Sequence, residues 1–491
     1  MFRHLDKDLI KKYAMALTIV IVTIAAIWGA WRISDDKTVP LNNPEEVYNR
    51  AVSQLSESES IYYKVTGTRM ISDNGITTEE RFTQLITYEK CGTNDFRGCV
   101  EEDLQIGTQS IKSFEFFSDG TAYFTTQGAS YQSEMTADSY TDRYAPAVPV
   151  DPSLYAHIDG VQNSKAITIS FSKPGAVASW IAVNGVTLVE AAAVVTLSPD
   201  GDLRVSNYSV TYTQGNVTFS LNVAVEIMNS AAPLLQLPDS SAYTPISDIS
   251  VSKTLERSCG YLTAIQSVCS VYSDTIFCEA FGDERTQTIS LVANEADSLS
   301  TDLDTAIFVS NSSKAGIVAT STKKEIFKNG VYSYSVDGAD FEADNSVDAD
   351  VMKSYCDNLL IGTILLPDYI GSVDVEETEG VISISFQPTD EFANILAQDA
   401  CLSLYQNATI LIEQAHSYKT DEATCYLTID KISGYPASSG FYYSGTYVIG
   451  GIPYQLSFKA DQTYSYTANP INEEDSTDPA ENTEAQETKV S

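Results

Sequence analysis

The sequence predicts an α+β protein made of two tandem domains, each a long curved antiparallel sheet covered by helices, behind one N-terminal transmembrane helix. Three observations carry that expectation: an uncharged apolar run near the start, strand-period segments through most of the remainder, and a passage spelled twice. Glu115–Tyr131 reads EFFSDGTAYFTTQGASY, and 210 positions later Glu325–Phe341 reads EIFKNGVYSYSVDGADF. At 491 residues the chain is too long for one ordinary domain and suits two.

Residues 1–12 carry Arg3, Lys7, Lys11 and Lys12 ahead of the apolar run, so they are expected on the cytoplasmic side. Tyr13–Trp31, YAMALTIVIVTIAAIWGAW, holds no charge; as a helix it reaches about 28 Å, close to the roughly 30 Å hydrocarbon core. Tyr13, Trp28 and Trp31 stand near its ends, where amphipathic rings favour the water interface. A signal peptide is the competing reading, and the sequence leaves cleavage open. Either way the bulk of the chain is exported. No Cys follows the run directly, which excludes a lipoprotein anchor of the bacterial type.

After a linker at 32–43, the first domain is expected over 44–238. Asn43 and Pro44 start a helix, and Val47, Ala51 and Leu55 recur every four residues on its apolar face. From Ile61 the period changes to two, in β-rich runs separated by Asp-Asn-Gly and Ser-Asp-Gly turns. GAVASWIAVNG, beginning at Gly175, reads as a short helix before the closing hairpins. LPDSSAYTPISDISVS is Pro, Ser and Asp rich and places a linker at 239–252. The second domain, 253–467, repeats the order. SIYYKV at Ser60 meets SVYSDT at Ser270, ITISF at Ile167 meets ISISF at Ile382, and YTQGNVTFSL at Tyr212 meets YVIGGIPYQL at Tyr447. The offset grows from 210 to 215 and then 235, so the second copy has gained an insertion around 390–425. The tail, 468–491, is acidic, has no aromatic residue and is expected to be disordered.

This order resembles the LolA-like and LppX-like half-β-barrel envelope family, here duplicated in tandem. The residues that carry the resemblance are the N-terminal helix, the Tyr-rich strands, the mid-domain helix after an I-x-I-S-F strand, and the closing LQLPDSSAY. It implies a half-barrel with a helix in its curve and a lipid or other hydrophobic ligand held without catalysis. The alternative is a structural or sensing surface module that binds envelope protein partners. The chain departs from the family in carrying a transmembrane anchor, which bears against a shuttle that must be released.

The chemistry expected is binding. Acidic residues outnumber basic ones 66 to 29, a formal charge of -37, which excludes a phosphate-binding nucleic-acid partner. Only His157 and His416 lie beyond the membrane run, and no HExxH, GxSxG, Walker or GxGxxG motif occurs. No enzyme activity, cofactor or metal is expected. The acidic cluster Glu342, Asp344, Asp348 and Asp350, and the pair Asp302 and Asp304, lack the Gly and Glu positions of a calcium loop. Phe117, Phe124 and Tyr131, with Phe327, Tyr334 and Phe341 in the second copy, are the candidate ligand-binding residues, set on the concave faces. CGTNDFRGC reads as a hairpin tip and suggests a disulfide between Cys91 and Cys99. Cys401 and Cys425 fall in the insertion as a further candidate staple, and the remaining pairings stay open. The sequons at Asn207, Asn216, Asn311 and Asn407 matter only in a eukaryotic secretory route.

Overall fold

The structure, a computed structural model, describes residues 38–466 other than 108, 127–128, 182–184, 229–232, 234, 266, 279–282, 295–297, 310–315, 329–330, 345–350, 352–353, 355–369, 379, 396–414 and 450, and at 267, 269, 271, 447 and 449 and over 276–330 and 415–418 the backbone alone. The membrane run Tyr13–Trp31, the acidic tail, Cys401 and most of the insertion lie outside the described residues. Among the described residues no helix is long and apolar enough to cross a membrane.

The molecule is mostly β with few helices, in two main sheets. The first comprises β1 (Val39–Pro40), β2 (Ser60–Asp73), β3 (Ile76–Glu89), β4 (Arg97–Ile106), β5 (Gln109–Ser118), β6 (Thr121–Thr125), β7 (Ser130–Glu134), β8 (Tyr155–Gln162), β9 (Ile167–Pro174), β10 (Val186–Leu197), β11 (Leu203–Gln214), β12 (Val217–Ile227) and β13 (Thr244–Pro245). Its order is β1-β8-β9-β10-β11-β12-β2-β3-β4-β5-β6-β7-β13. The second comprises β14 (Ser267–Cys278), β15 (Asp283–Asn294), β16 (Ser298–Val309), β17 (Gly316–Lys328), β18 (Val331–Val336), β19 (Glu342–Asp344), β20 (Ile370–Glu377), β21 (Val381–Pro388), β22 (Ala415–Asp430), β23 (Pro436–Ile449) and β24 (Ile452–Tyr466). Its order, read from the other end, is β20-β21-β22-β23-β24-β14-β15-β16-β17-β18-β19. Strand for strand this is the first order from β8 to β7. In both sheets the last long strand returns to pair with the first.

The repeat extends to register. In the hairpin β5–β6, Glu115 faces Phe124 and Phe117 faces Ala122; in β17–β18, Glu325 faces Tyr334 and Phe327 faces Tyr332. The next strand breaks the parallel. Phe124 faces Tyr131, but Tyr334 faces Glu342, one position beyond the expected equivalent Phe341. Side chains alternate faces along a strand, so this slip removes Phe341 from the place that Tyr131 fills.

Each unit opens with a helix. In the first, α1 (Pro44–Ser56) has Pro44 at its first position and Glu45 and Glu46 in its first turn, where the helix dipole favours acids. Tyr48 and Ala51 are its buried residues, so the apolar stripe is one position away from Val47 at its start. Tyr48 packs edge-on against Phe171 of β9 at 5.1 Å and donates a hydrogen bond to the Val150 carbonyl at 2.7 Å. A five-residue helix, α2 (Ala137–Thr141), lies on the crossover between β7 and β8, and Thr136 caps it by accepting from the Ser139 amide. In the second unit α3 (Ser250–Ala264) buries Leu255, Cys259 and Leu262, and Tyr261 packs on Tyr435 at 5.3 Å. Residues 390–395, where the insertion begins, are helical as expected.

Two expectations are corrected here. The described part of GAVASWIAVNG, 175–181 and 185, consists of bends, turns and irregular backbone instead of a helix. Trp180 explains why: its ring packs against Tyr208 at 5.7 Å and its indole donates to the Pro149 carbonyl at 2.9 Å, tertiary contacts that override a weak helix propensity. Cys91 and Cys99 are thiols, not a disulfide. The hairpin connection is present, but Gly98 faces Tyr140 on the core side, so alternation sends Cys99 to the outer face, where it packs with Phe116 and Tyr123. Cys91 lies on the core side, close enough to Tyr63 and Tyr88 to act on them electrostatically. Cys425 is likewise a buried thiol.

Candidate functional site

The core face of the first sheet is filled by large side chains: Tyr63, Val65, Ile86 and Leu104 are fully buried. The candidate ligand residues belong to this packing. Phe124 is fully buried, and Phe117 and Tyr131 are 3% exposed. Phe117 stacks on Tyr140 of α2 at 5.1 Å and meets Phe96 at 5.7 Å. They share one face, as expected, but the face is closed over them by the β7–β8 crossover. In the second unit Tyr334 is half-buried with its hydroxyl donating to Glu342 at 2.8 Å, and Phe341 is half-buried just before β19. The Phe327 side chain lies outside the described residues.

Space opens beside this core. A cavity of about 600 Å³ lies between α1, the start of β2 and the end of β3, the crossover and the turn after β9. Val52 and Leu55 line it from α1, Ile61 and Tyr63 from β2, and Tyr88 from β3. Tyr144, Pro146, Ala147 and Val148 close it from the crossover, and Trp180 from the turn. Its volume falls in the range of about 300–1,000 Å³ usual for ligand pockets. None of Phe117, Phe124 and Tyr131 lines it. One signal in the sequence pointed here: Val52 and Leu55 continue the α1 stripe beyond the buried Tyr48 and Ala51, at helical spacing.

Hydrogen bonds fix the walls. Tyr63 donates to the Ala145 carbonyl at 3.1 Å, and Tyr48 and Trp180 hold Val150 and Pro149, so the crossover is tied down at three carbonyls. Arg143 pairs with Glu115 of β5 at 2.9 Å, its guanidinium 6.0 Å from the Tyr144 ring centre. Burial pushes the Tyr63, Tyr140 and Tyr144 phenols well above their ordinary range, and Tyr88 up to about 12. All four are neutral hydroxyls at physiological pH. The polar content deeper on this face is paired: Arg69 meets Glu80 at 3.6 Å, and Gln84 donates to Glu102 at 2.6 Å.

Among the described residues that line the cavity there is no His, Cys, Lys or Arg. His157 sits on β8, more than half exposed, and pairs with Asp159 at 3.0 Å, away from the cavity. His416 has no described side chain. Among the described residues no cluster of three or more His, Cys, Asp or Glu side chains is placed to hold a metal ion.

No protein-family model and no curated protein matches the chain. Among solved structures it is similar to LprF from Mycobacterium bovis, at a TM-score of 0.25 and 10% identity over 41% of this chain and 98% of that one. It is similar also to kievitone hydratase from Nectria haematococca, at a TM-score of 0.12 and 9% identity over 88% and 97%, and to OprD from Pseudomonas aeruginosa, at 0.11 and 7% over 83% and 95%. Likenesses this distant leave the chain's own geometry as the ground for its function.

Proposed function

We propose that the chain is a membrane-anchored extracytoplasmic binding protein of the cell envelope, made of two half-barrel domains, that holds a lipid or other hydrophobic ligand without turning it over. The cavity under α1 carries this reading. Its wall is mostly aliphatic and aromatic, its volume suits a small ligand, and its titratable phenols are held neutral by burial. The anchor is assigned to Tyr13–Trp31 on sequence grounds, with the N-terminus cytoplasmic.

Native mass spectrometry of protein extracted from its own host tests the reading. Bound mass in the range of a small amphiphile is expected, and Val52→Trp, which fills the cavity from α1, should lose it. A ligand-free spectrum of wild-type protein taken directly from host membranes would sink the proposal.

A further inference from the structure

The outer face of the first sheet carries a second hollow, turned away from the core side chains. It spans six neighbouring strands, β10-β11-β12-β2-β3-β4, and holds about 520 Å³. Side chains alternate faces along each strand, so Thr66, Thr83 and Asn222 point away from the buried Val65, Ile86 and Val223. Short side chains make the depression. Asn207 pairs with Val194 of β10 and Ala224 of β12, and Ser209 with Ala192 and Asn222, so small apolar positions alternate with amides and a hydroxyl. Thr66, Thr68, Thr83, Ser209 and Asn222 are half-buried in the floor, while Asn207 and Gln105 stand exposed.

These polar groups keep their hydrogen-bonding capacity. Among the described residues, the side chains of Thr66, Thr68, Thr83, Asn207 and Gln105 make no hydrogen bond within the protein. Ser209 donates to Asn222 Oδ1 at 2.7 Å, which leaves the Asn222 amide hydrogens to donate elsewhere. Charge is nearly absent from this wall, in a chain whose acidic residues outnumber basic ones 66 to 29. The two lining ions are already paired: Arg81 meets Glu79 at 2.9 and 3.1 Å, and Asp103 accepts from Ser110 at 3.1 Å and lies 4.0 Å from Lys112. An apolar ligand would strip water from these amides and hydroxyls and return nothing. An anion would find no free cation, and no carboxylate set is placed here for a metal. The chemistry that matches is uncharged and both donates and accepts at short intervals, as sugar hydroxyls do. Roughly seventeen water-sized groups fit at about 30 Å³ each, enough for one sugar ring and part of the next. Phe82 and Tyr208 also line the hollow, but they belong to the core-side rows of their strands, so hydrogen bonds and not ring stacking set the affinity.

We propose that the outer face of the first unit binds a neutral oligosaccharide in this hollow, held by Thr66, Thr68, Asn207 and Asn222. The full-length protein in lipid nanodiscs is titrated with two neutral sugars, maltohexaose and N-acetylchitohexaose, and with anionic hexagalacturonate, each followed by saturation-transfer NMR. At least one neutral hexamer is expected to bind with a Kd of about 1 mM, and the anionic one about tenfold more weakly. Thr66→Val keeps the shape and strand propensity of the side chain and should weaken binding about fivefold, the worth of one hydrogen bond. Ala224→Trp fills the hollow and should abolish binding, with wild-type circular dichroism separating that loss from misfolding. Retention of the protein on beads that carry the sugar attached at both ends marks a polymer as the source, and release from them marks a free sugar; the ligand class holds in both. If neither neutral hexamer gives a saturable signal, or if Thr66→Val and Ala224→Trp bind as the wild type does, the proposal is wrong.

Discussion

At the scale of single residues, the first unit is decided by where buried polar atoms find partners. Glu115 is 1% exposed on the core face, and Arg143 reaches it from the crossover. Arg143→Ala leaves that carboxylate buried without its cation and should cost about 3–5 kcal/mol in urea unfolding. Adding Glu115→Gln should recover much of the loss, because the charge then disappears with its partner. The tyrosines set a pH limit in the same way. Tyr88 is raised to about 12 in the fold by burial, whereas the unfolded chain loses the proton near 10. Between those values the unfolded state binds fewer protons than the folded one, so stability is full below about pH 10 and falls as pH rises towards 12. Tyr88→Phe should flatten that alkaline loss in unfolding curves taken at pH 8 and pH 11. An unchanged slope would place the titration elsewhere.

Elements show how much could be read in advance. Turns were legible because their chemistry is local: Asn74 and Gly75, and Asp119 and Gly120, all have positive φ, as the tight hairpin turns after β2 and β5 require. Gly120→Val, at φ +76, should therefore destabilise the β5–β6 hairpin by about 1–2 kcal/mol, seen as a lower urea midpoint with unchanged slope. α1 was legible from its spacing, though Tyr48 in place of Val47 leads the buried stripe. β4 was not, because Glu101, Glu102 and Asp103 disguise its alternation, and the buried Glu102 accepts from Gln84 on the neighbouring strand. The candidate site was half legible. Aromatics on the core face could be named from period two, but whether a ring packs or lines a space depends on the crossover that covers it. That crossover, 135–154, carries no strand or helix longer than α2 and gives the sequence little periodicity to betray its place. The one-residue slip at β19 is equally invisible in an alignment of the two copies.

The whole molecule repeats one closure. In each sheet the chain runs outward from the central strand, crosses to the far edge and works back until its last long strand pairs with the first: β12 beside β2, and β24 beside β14. In the second unit that closing register runs unbroken from Val268 against Tyr466 to Cys278 against Leu456. The closing pair joins segments far apart in sequence, so it is costly to form and holds the two halves of the sheet together. The first unit gives the direct test. A chain of residues 38–243 contains every strand from β1 to β12, and one of residues 38–214 lacks β12. The longer chain should unfold in one cooperative transition. The shorter one leaves β2 and β11 without the strand between them, parting β8–β11 from β2–β7, and should show no cooperative transition by circular dichroism in urea. If both melt together at one midpoint, the closing strand is dispensable and each half-sheet is sufficient. The cavity would then have to be stabilised by α1 and the crossover alone, and Val52→Trp should raise the midpoint of the shorter chain as much as that of the longer.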